Sequence, residues 1–212
     1  FTAFPQVLQN GQWVGNPLRP QFLQQAEPAT RFAGRSGPLR LLVVGGSLGA
    51  QALNDTVPRA LALLAPEQRP LVTHQSGAQH IETLRQRYAQ AGVQATLTPF
   101  IDDTAQAFAD ADLIVCRAGA STVTEIAAVG AAALWVPFPH AVDDHQTRNA
   151  RFLTDAGAGW LVQQHAFTPE FLADMLQKTE RKTLISCGQA AKMLAKTGAT
   201  AAIVAACEEL AT

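Results

Sequence analysis

The stretch "LLVVGGSLGAQALN", residues 41–54, decides the fold. An apolar run ends in two glycines and a serine, and a helical pattern starts at once. Gly45, Gly46 and Ser47 stand where a strand turns into a helix, the edge at which open α/β sheets bind ligands. Glycine lets the backbone approach an anion and tolerates positive φ. The helix opening near Gly49 offers free N–H groups and the positive end of its dipole, and the Ser47 hydroxyl adds a donor. Two readings fit the loop by itself: a phosphate cradle, or a tight turn that binds nothing. A dinucleotide fits poorly, because GGSLGA is not GxGxxG. Where that fingerprint needs an acidic residue, the chain has His74-Gln75-Ser76. The GK[ST] of a Walker loop is missing too.

Outward from this loop, short apolar runs alternate with amphipathic stretches. "LRLLVV" (39–44) precedes a helical pattern over 50–64, "PLVTHQ" (70–75) one over 79–91, and "QATLTPF" (94–100) a short helix over 104–109. "DLIVCR" (112–117) leads into "STVTEIAAVG", "AALWVP" (132–137) into "DHQTRNARFLTDAG", and "GWLVQQ" (159–164) into "TPEFLADMLQKT" and two further helices. Strands apolar throughout, each followed by a helix, mean a parallel sheet covered on both faces. The fold class is therefore α/β, a doubly wound parallel sheet of Rossmann-like type, with 3-2-1-4-5-6 as the usual strand order. Residues 1–38 break the pattern. They are rich in proline, glycine and asparagine and read as a connector, and residues 1–14 as the tail of an upstream domain, since the chain starts at Phe1 without a methionine.

The 212 residues, 48% hydrophobic, suit one large domain, and a net charge of −1 without a basic stripe argues against nucleic acid as a partner. Cys116, Cys187 and Cys207 are scattered, in no metal-ligand spacing, which suits thiols in a reducing compartment. No apolar run is long enough for a membrane span, and no signal peptide is evident. These features together read as a cytosolic chain without a cofactor.

A second loop, "CRAGASTVTEIAAVG" (116–130), again sets glycine and small hydroxyl residues between a strand and a helix. Residues 120–124 would form the first turn, with Ser121, Thr122 and Thr124 as donors or caps. Glu125 either offsets the helix dipole or accepts the two hydroxyls of a ribose. Asp110-Ala-Asp112 imitates a metal-binding DxD, but it precedes its strand and so falls at the wrong edge of the sheet. Asp102 and Asp103 read as caps of the next helix, and His140 and His145 as loop histidines. Trp13, Trp135 and Trp160 read as core or interface residues. Lys178, Arg181, Lys182, Lys192 and Lys196 read as a solvated face.

Six motifs in order, "GNPLR" (15–19), "VVGGSLGAQALN" (43–54), "HQSG" (74–77), "FIDD" (100–103), "CRAGASTVTEIAAVG" and "PHAVDDHQTRNA" (139–150), closely resemble the MurG family of bacterial glycosyltransferases. The resemblance implies the C-terminal, donor-binding half of a GT-B enzyme. Residues 1–38 would be the interdomain connector, 39–198 the UDP-GlcNAc-binding domain, and 199–212 a last helix packing toward the N-terminal domain. It implies transfer of N-acetylglucosamine from UDP-GlcNAc to the 4-hydroxyl of muramic acid in lipid I, at the cytoplasmic face of the inner membrane, forming lipid II.

Residue by residue, the resemblance gives Ser47 and the backbone of Ala120, Ser121, Thr122, Val123 and Thr124 to the UDP diphosphate, with Gly45 and Gly46 beside them. Glu125 would bind the ribose, and Ile101, after Phe100, the uracil edge. Arg19 matches a nucleotide-contacting position. Gln146 would contact sugar hydroxyls, with Asp143, Asp144 and His145 close by; some members carry glutamine where His145 stands. The catalytic base belongs to the N-terminal domain, so none is assigned here and the chain alone is expected to be inactive. Two alternatives remain, a UDP-sugar epimerase of the same fold and a nucleotide-sugar-binding module without chemistry. The "HAVDDHQTRNA" stretch favours the transferase.

Overall fold

The computed structural model describes residues 1–5, 7–46 and 50–211. In chain order the elements are α1 (Pro20–Leu23), α2 (Pro28–Phe32), β1 (Arg40–Val44), α3 (Gln51–Ala62), β2 (Leu71–Gln75), α4 (Ile81–Ala91), β3 (Thr96–Thr98) and α5 (Thr104–Asp110). There follow β4 (Leu113–Cys116), α6 (Ala120–Val129), β5 (Ala133–Trp135), α7 (His145–Thr154), β6 (Gly159–Leu161), α8 (Pro169–Lys178), α9 (Arg181–Met193) and α10 (Ala199–Leu210). The six strands form one parallel sheet in the order β3-β2-β1-β4-β5-β6, the expected doubly wound arrangement. The order reverses between β1 and β4, which opens a crevice at their carboxyl ends.

Alternation along the strands explains why they read as apolar throughout. Leu41 and Val43 of β1, Leu113 and Val115 of β4, and Leu134 of β5 enter one core, together with Leu53 and Leu61 of α3 and Leu84 of α4. Leu42, Ile114, Cys116 and Trp135 point the other way, into a second core with Phe108 of α5, Ile126 of α6 and Leu153 of α7. A fully buried leucine or isoleucine contributes roughly 2 kcal/mol, so each face supplies a large share of the stability. Helix α9 crosses α6 closely at one point, where a Cβ on Gly188 would stand 2.5 Å from the Gly130 carbonyl oxygen. Only glycine fits that approach.

The first 38 residues are more ordered than a bare connector. Phe22 and Phe32 are buried, one in each core, and α1 and α2 both start on proline. Arg31 donates to the Ala109, Val129 and Gly130 carbonyls at 2.8, 3.0 and 2.7 Å, closing the carboxyl ends of α5 and α6. A cation there answers both the unpaired carbonyls and the negative end of the helix dipole. At the other terminus, α10 leaves Val204 and Leu210 exposed, at 49% and 89%.

The basic residues expected on a solvated face divide. Lys178 and Lys182 are solvated. Arg181 instead pairs with Asp112 at 2.9 Å, Lys192 donates to the Ala128 carbonyl at 2.8 Å, and Lys196 lies 4.4 Å from the Trp13 ring centre. Each finds an acceptor or an aromatic face that one-dimensional spacing does not reveal.

Candidate functional site

A cleft of about 780 Å³ opens at the carboxyl edge of the sheet, lined in part by Gly45, Gly46, Gln51, Arg117, Phe138 and Gln146. The glycine loop, the start of α3, the residue that follows β4 and the start of α7 thus line one cavity, and α6 begins three residues after Arg117. Ser47 and Gly49 lie outside the described residues. Gly46 has φ +79°, and a Cβ there would meet nothing within 4 Å, so glycine is needed for backbone conformation rather than for space. The N-caps of α3 and α6, Ala50 and Gly119, provide no side-chain cap, which leaves the first-turn N–H groups of both helices without that competitor.

Of the hydroxyls read as donors or caps near the α6 N-terminus, that of Thr124 is a donor within its own helix. The Thr124 O–H is shared between the Ala120 and Ser121 carbonyls at 3.1 and 2.9 Å, and its oxygen accepts from Asn16 Nδ2 at 3.2 Å. Inside a helix a threonine hydroxyl reaches back three or four residues, and Thr124 stands too far into the first turns to do otherwise. Ala120 and Ser121 are exposed and Thr122 is half-buried, while the Val123 and Thr124 side chains are buried.

Glu125 follows, with its side chain 20% exposed and 3.9 Å from the Arg19 guanidinium. Burial raises its carboxyl pKa above the ordinary value, and Arg19 pulls it back. Arg19 in turn lies 5.0 Å from the Phe22 ring centre, at the head of α1. Helix α1 packs on both α5 and α6, so the segment before α5, with exposed Phe100 and half-buried Ile101, belongs to the same corner. The Thr98 hydroxyl donates to the Phe100 carbonyl at 2.6 Å, and the Ile101 carbonyl accepts from Thr104 Oγ1 at 3.5 Å.

Gln146 begins the opposite wall. Its Oε1 accepts from the Ala118 and Phe138 N–H groups at 3.2 and 3.0 Å, and Asn149 Nδ2 donates to the Ala118 carbonyl at 3.0 Å. Both lone pairs of that oxygen are occupied, so any ligand contact falls to the amide nitrogen. Asp143 and Asp144 both adopt φ +50°, an unusual conformation for non-glycine residues. The Asp144 carboxylate accepts from Thr147 Oγ1 at 2.6 Å, and His145 is exposed beside it.

Three residues of the site were missed by sequence reasoning. Arg117, directly after β4, donates to the Val136 and Pro137 carbonyls at 2.9 and 3.0 Å and to Gln164 Oε1 at 2.6 Å. Burial lowers its pKa from the usual arginine value. Gln75 stands where a dinucleotide fold would carry its acid, and its amide holds the Gly46 backbone. An arginine or glutamine at the end of an apolar strand was the available signal. His74 is fully buried, with Nδ1 3.0 Å from the Tyr88 hydroxyl and Nε2 3.0 Å from Asn54 Oδ1. The carboxamide oxygen can only accept, so Nε2 carries the proton and Tyr88 donates to Nδ1. Burial pushes the imidazole pKa down to about 3.

The expected metal-like pair lies at the far edge. Asp112 is buried and held by Arg35 at 2.7 Å and Arg181 at 2.9 Å, so its spacing to Asp110 reflects a structural ion cluster.

Comparison with known proteins adds the following. The profile of the glycosyltransferase family 28 C-terminal domain matches residues 40–205. The chain is 71% identical over 211 residues to the UDP-N-acetylglucosamine--N-acetylmuramyl-(pentapeptide) pyrophosphoryl-undecaprenol N-acetylglucosamine transferase of Polaromonas sp. strain JS666, covering 100% of this chain and 54% of that protein. A protein of the same name from Albidiferax ferrireducens is 74% identical over 210 residues, covering 99% and 54%. Among solved structures, Acinetobacter baumannii MurG superposes with a TM-score of 0.86 at 40% identity, over 98% of this chain and 59% of that one. The chain thus spans a little over half the length of the curated relatives it matches.

Proposed function

Since this chain belongs to glycosyltransferase family 28, as its C-terminal domain, we propose that it is the donor-binding half of an inverting hexosyltransferase. The whole protein moves N-acetylglucosamine from UDP-GlcNAc to the 4-hydroxyl of muramic acid in undecaprenyl-linked lipid I, giving lipid II for peptidoglycan. Residues 1–38 join this half to an upstream domain, residues 39–198 hold the donor, and α10 packs back on that domain with its exposed apolar side chains. The protein works at the cytoplasmic face of the inner membrane; among the described residues no helix is long and apolar enough to cross one.

The observation that carries this reading is the Arg19–Glu125 pair. Two residues far apart in sequence are brought 3.9 Å apart, the carboxylate on a helix whose N-terminus has no side-chain cap. A carboxylate can accept both hydroxyls of a ribose, and the adjacent guanidinium keeps it ionised. From there the diphosphate runs along the N–H groups of residues 120–124 toward Gly45, Gly46 and Ser47, and uracil meets the Ile101 backbone beside Phe100. The sugar reaches Gln146, through its amide nitrogen, with Asp144 and His145 next to it.

In this arrangement the acceptor hydroxyl attacks the anomeric carbon in line, opposite the departing UDP. Negative charge grows on the leaving diphosphate, and fixed N–H donors at two helix N-termini stabilise it. Removing one such donor costs about 10²–10³ in rate. The general base comes from the upstream domain.

Titration calorimetry tests the reading. UDP-GlcNAc binds well ahead of NAD or ATP, and Glu125→Ala weakens UDP by about 1–3 kcal/mol, as for a lost charge-assisted hydrogen bond. A preference for NAD would sink the donor assignment; unchanged UDP affinity in the variant would remove Glu125 from the ribose.

A further inference from the structure

One side chain joins the two ends of the proposed nucleotide site. Gln75 is the last residue of β2, paired in register with Val44 on one side and Thr98 on the other, and it is only 4% exposed. Its Oε1 accepts from the Gly46 N–H at 3.1 Å, and its Nε2 donates to the Gly46 carbonyl at 3.1 Å and to the Pro99 carbonyl at 3.0 Å. The Gln75 main-chain carbonyl also accepts from the Gly45 N–H at 3.0 Å. The glycine loop is therefore gripped by one residue, which also holds the turn before Ile101. That turn is tightened further by the Ser76 N–H on the Thr98 carbonyl at 3.2 Å and by the Thr98 hydroxyl on Phe100.

We infer that Gln75 is a positioning residue that couples the uracil-binding segment Pro99–Ile101 to the diphosphate-binding glycine loop, so that the two select the nucleotide as a unit. The inference rests on the UDP-sugar reading above. A neutral amide is the group the position demands, because it faces one N–H and two carbonyl oxygens. A carboxylate would keep the Gly46 N–H but set negative charge against the Gly46 and Pro99 oxygens. A leucine would leave the N–H and both carbonyls without this partner. An acid at this strand end, as in a dinucleotide fold, is incompatible with the loop the chain has built.

The test uses the full chain and calorimetry with UDP and ADP, alongside thermal melts. Wild type prefers UDP. In Gln75→Glu and Gln75→Leu, UDP affinity falls by roughly tenfold or more, the scale of a lost buried hydrogen bond, and the UDP-to-ADP preference shrinks with it. Relative to wild type at the same pH, Gln75→Glu recovers affinity as pH falls, because the protonated carboxyl can again donate; Gln75→Leu does not. A merely structural role would lower UDP and ADP affinity equally and show no acid rescue, and that result overturns the proposal.

A measurement on unaltered protein decides the matter even if both variants fail to fold. Saturating uridine, which carries no phosphate, slows hydrogen exchange in the peptide over residues 43–50; no change there overturns the coupling. Failure of wild type to bind UDP at all would instead remove the donor reading on which the inference stands.

Discussion

The two edges of the sheet use charge in opposite ways. At the amino edge, helices arrive with their carboxyl ends, and the chain answers with cations. Arg31 closes α5 and α6, and Arg35 and Arg181 surround the buried carboxylate of Asp112, which also accepts from the Arg40 N–H at 3.0 Å. At the carboxyl edge, α3 and α6 begin without side-chain caps, and the amides of Gln75 and Gln146 hold loop backbone in place. A groove of about 480 Å³ does lie at the amino edge, lined by Arg40 and Asp110 among others. The nearby Asp112 carboxylate is already matched by Arg35 and Arg181. Direction of helix dipoles, more than cavity size, separates the edge that holds the fold together from the edge that can take an anion.

The contrast can be broken from the amino side first, where the largest effect is expected. Asp112→Ala removes the carboxylate from two arginines that are 12% and 21% exposed. Breaking a buried ion cluster by deleting one partner costs about 3 kcal/mol or more. Urea denaturation should show that loss, while UDP affinity measured where the variant is still folded stays as in wild type. A fall in affinity larger than the unfolded fraction explains would mean that the two edges are not independent.

His74 tests the carboxyl side by pH. Its imidazole takes a proton near 6.5 when unfolded but stays neutral to about 3 when folded. The folded pKa is depressed, so the contribution is fully present above about 6.5 and is lost as pH falls toward 3. Urea midpoints measured between pH 7.5 and pH 4.5, values chosen to span roughly that window, should drop on the acid side. A His74→Gln protein should show a flatter profile over the same range. Equal slopes in the two proteins would show that other groups govern the acid limb.

Glu125→Gln sharpens the comparison, because here stability and binding should separate. The wild-type carboxyl is raised by burial, so its contribution to stability is present below the unfolded pKa and lost as pH rises through the folded one. At neutral pH the buried charge is a cost, and the glutamine variant should be at least as stable as wild type in urea. UDP binding should nevertheless weaken by about tenfold, because a neutral amide accepts hydrogen bonds less strongly. Asp112 and Glu125 are both largely buried acids, yet one should prove necessary for folding and the other a liability kept for the ligand.

How far all this could be read in one dimension follows from what sets each feature. Strands and helices were legible because Leu41–Val44 and Leu113–Cys116 bury both faces, which leaves continuous apolar runs between helical patterns. The first 38 residues were not, because α1 and α2 are 4 and 5 residues long and depend on tertiary partners such as the carbonyls that Arg31 reaches. In the candidate site, the loops and Glu125 were visible as strand-to-helix junctions. Gln75 and Arg117 were not, because their role is fixed by backbone groups of loops distant in sequence. The Thr124 hydroxyl, legible only as a donor or a cap, donates backwards within α6, as a threonine that far into a helix does.

The smallest effect concerns helix starts on the ligand edge itself. Helices α5 and α8 are closed by side chains, Asp103 accepting from the Gln106 N–H at 2.9 Å and Thr168 from the Phe171 N–H at 3.1 Å. Helices α3, α6 and α7 have no such side-chain cap, and α3 and α7 contribute lining to the cleft. A carboxylate that fills its own helix terminus satisfies donors that would otherwise be open to an anion, so Asp103 should matter to the fold alone. Asp103→Ala should cost about 1 kcal/mol, the usual value of an N-cap, in urea denaturation. UDP affinity should not change, although Ile101 is only two residues away. If it does fall, the Asp103 cap also sets the turn that presents Ile101, and the division between closed and open helix starts must be redrawn to place α5 with the ligand.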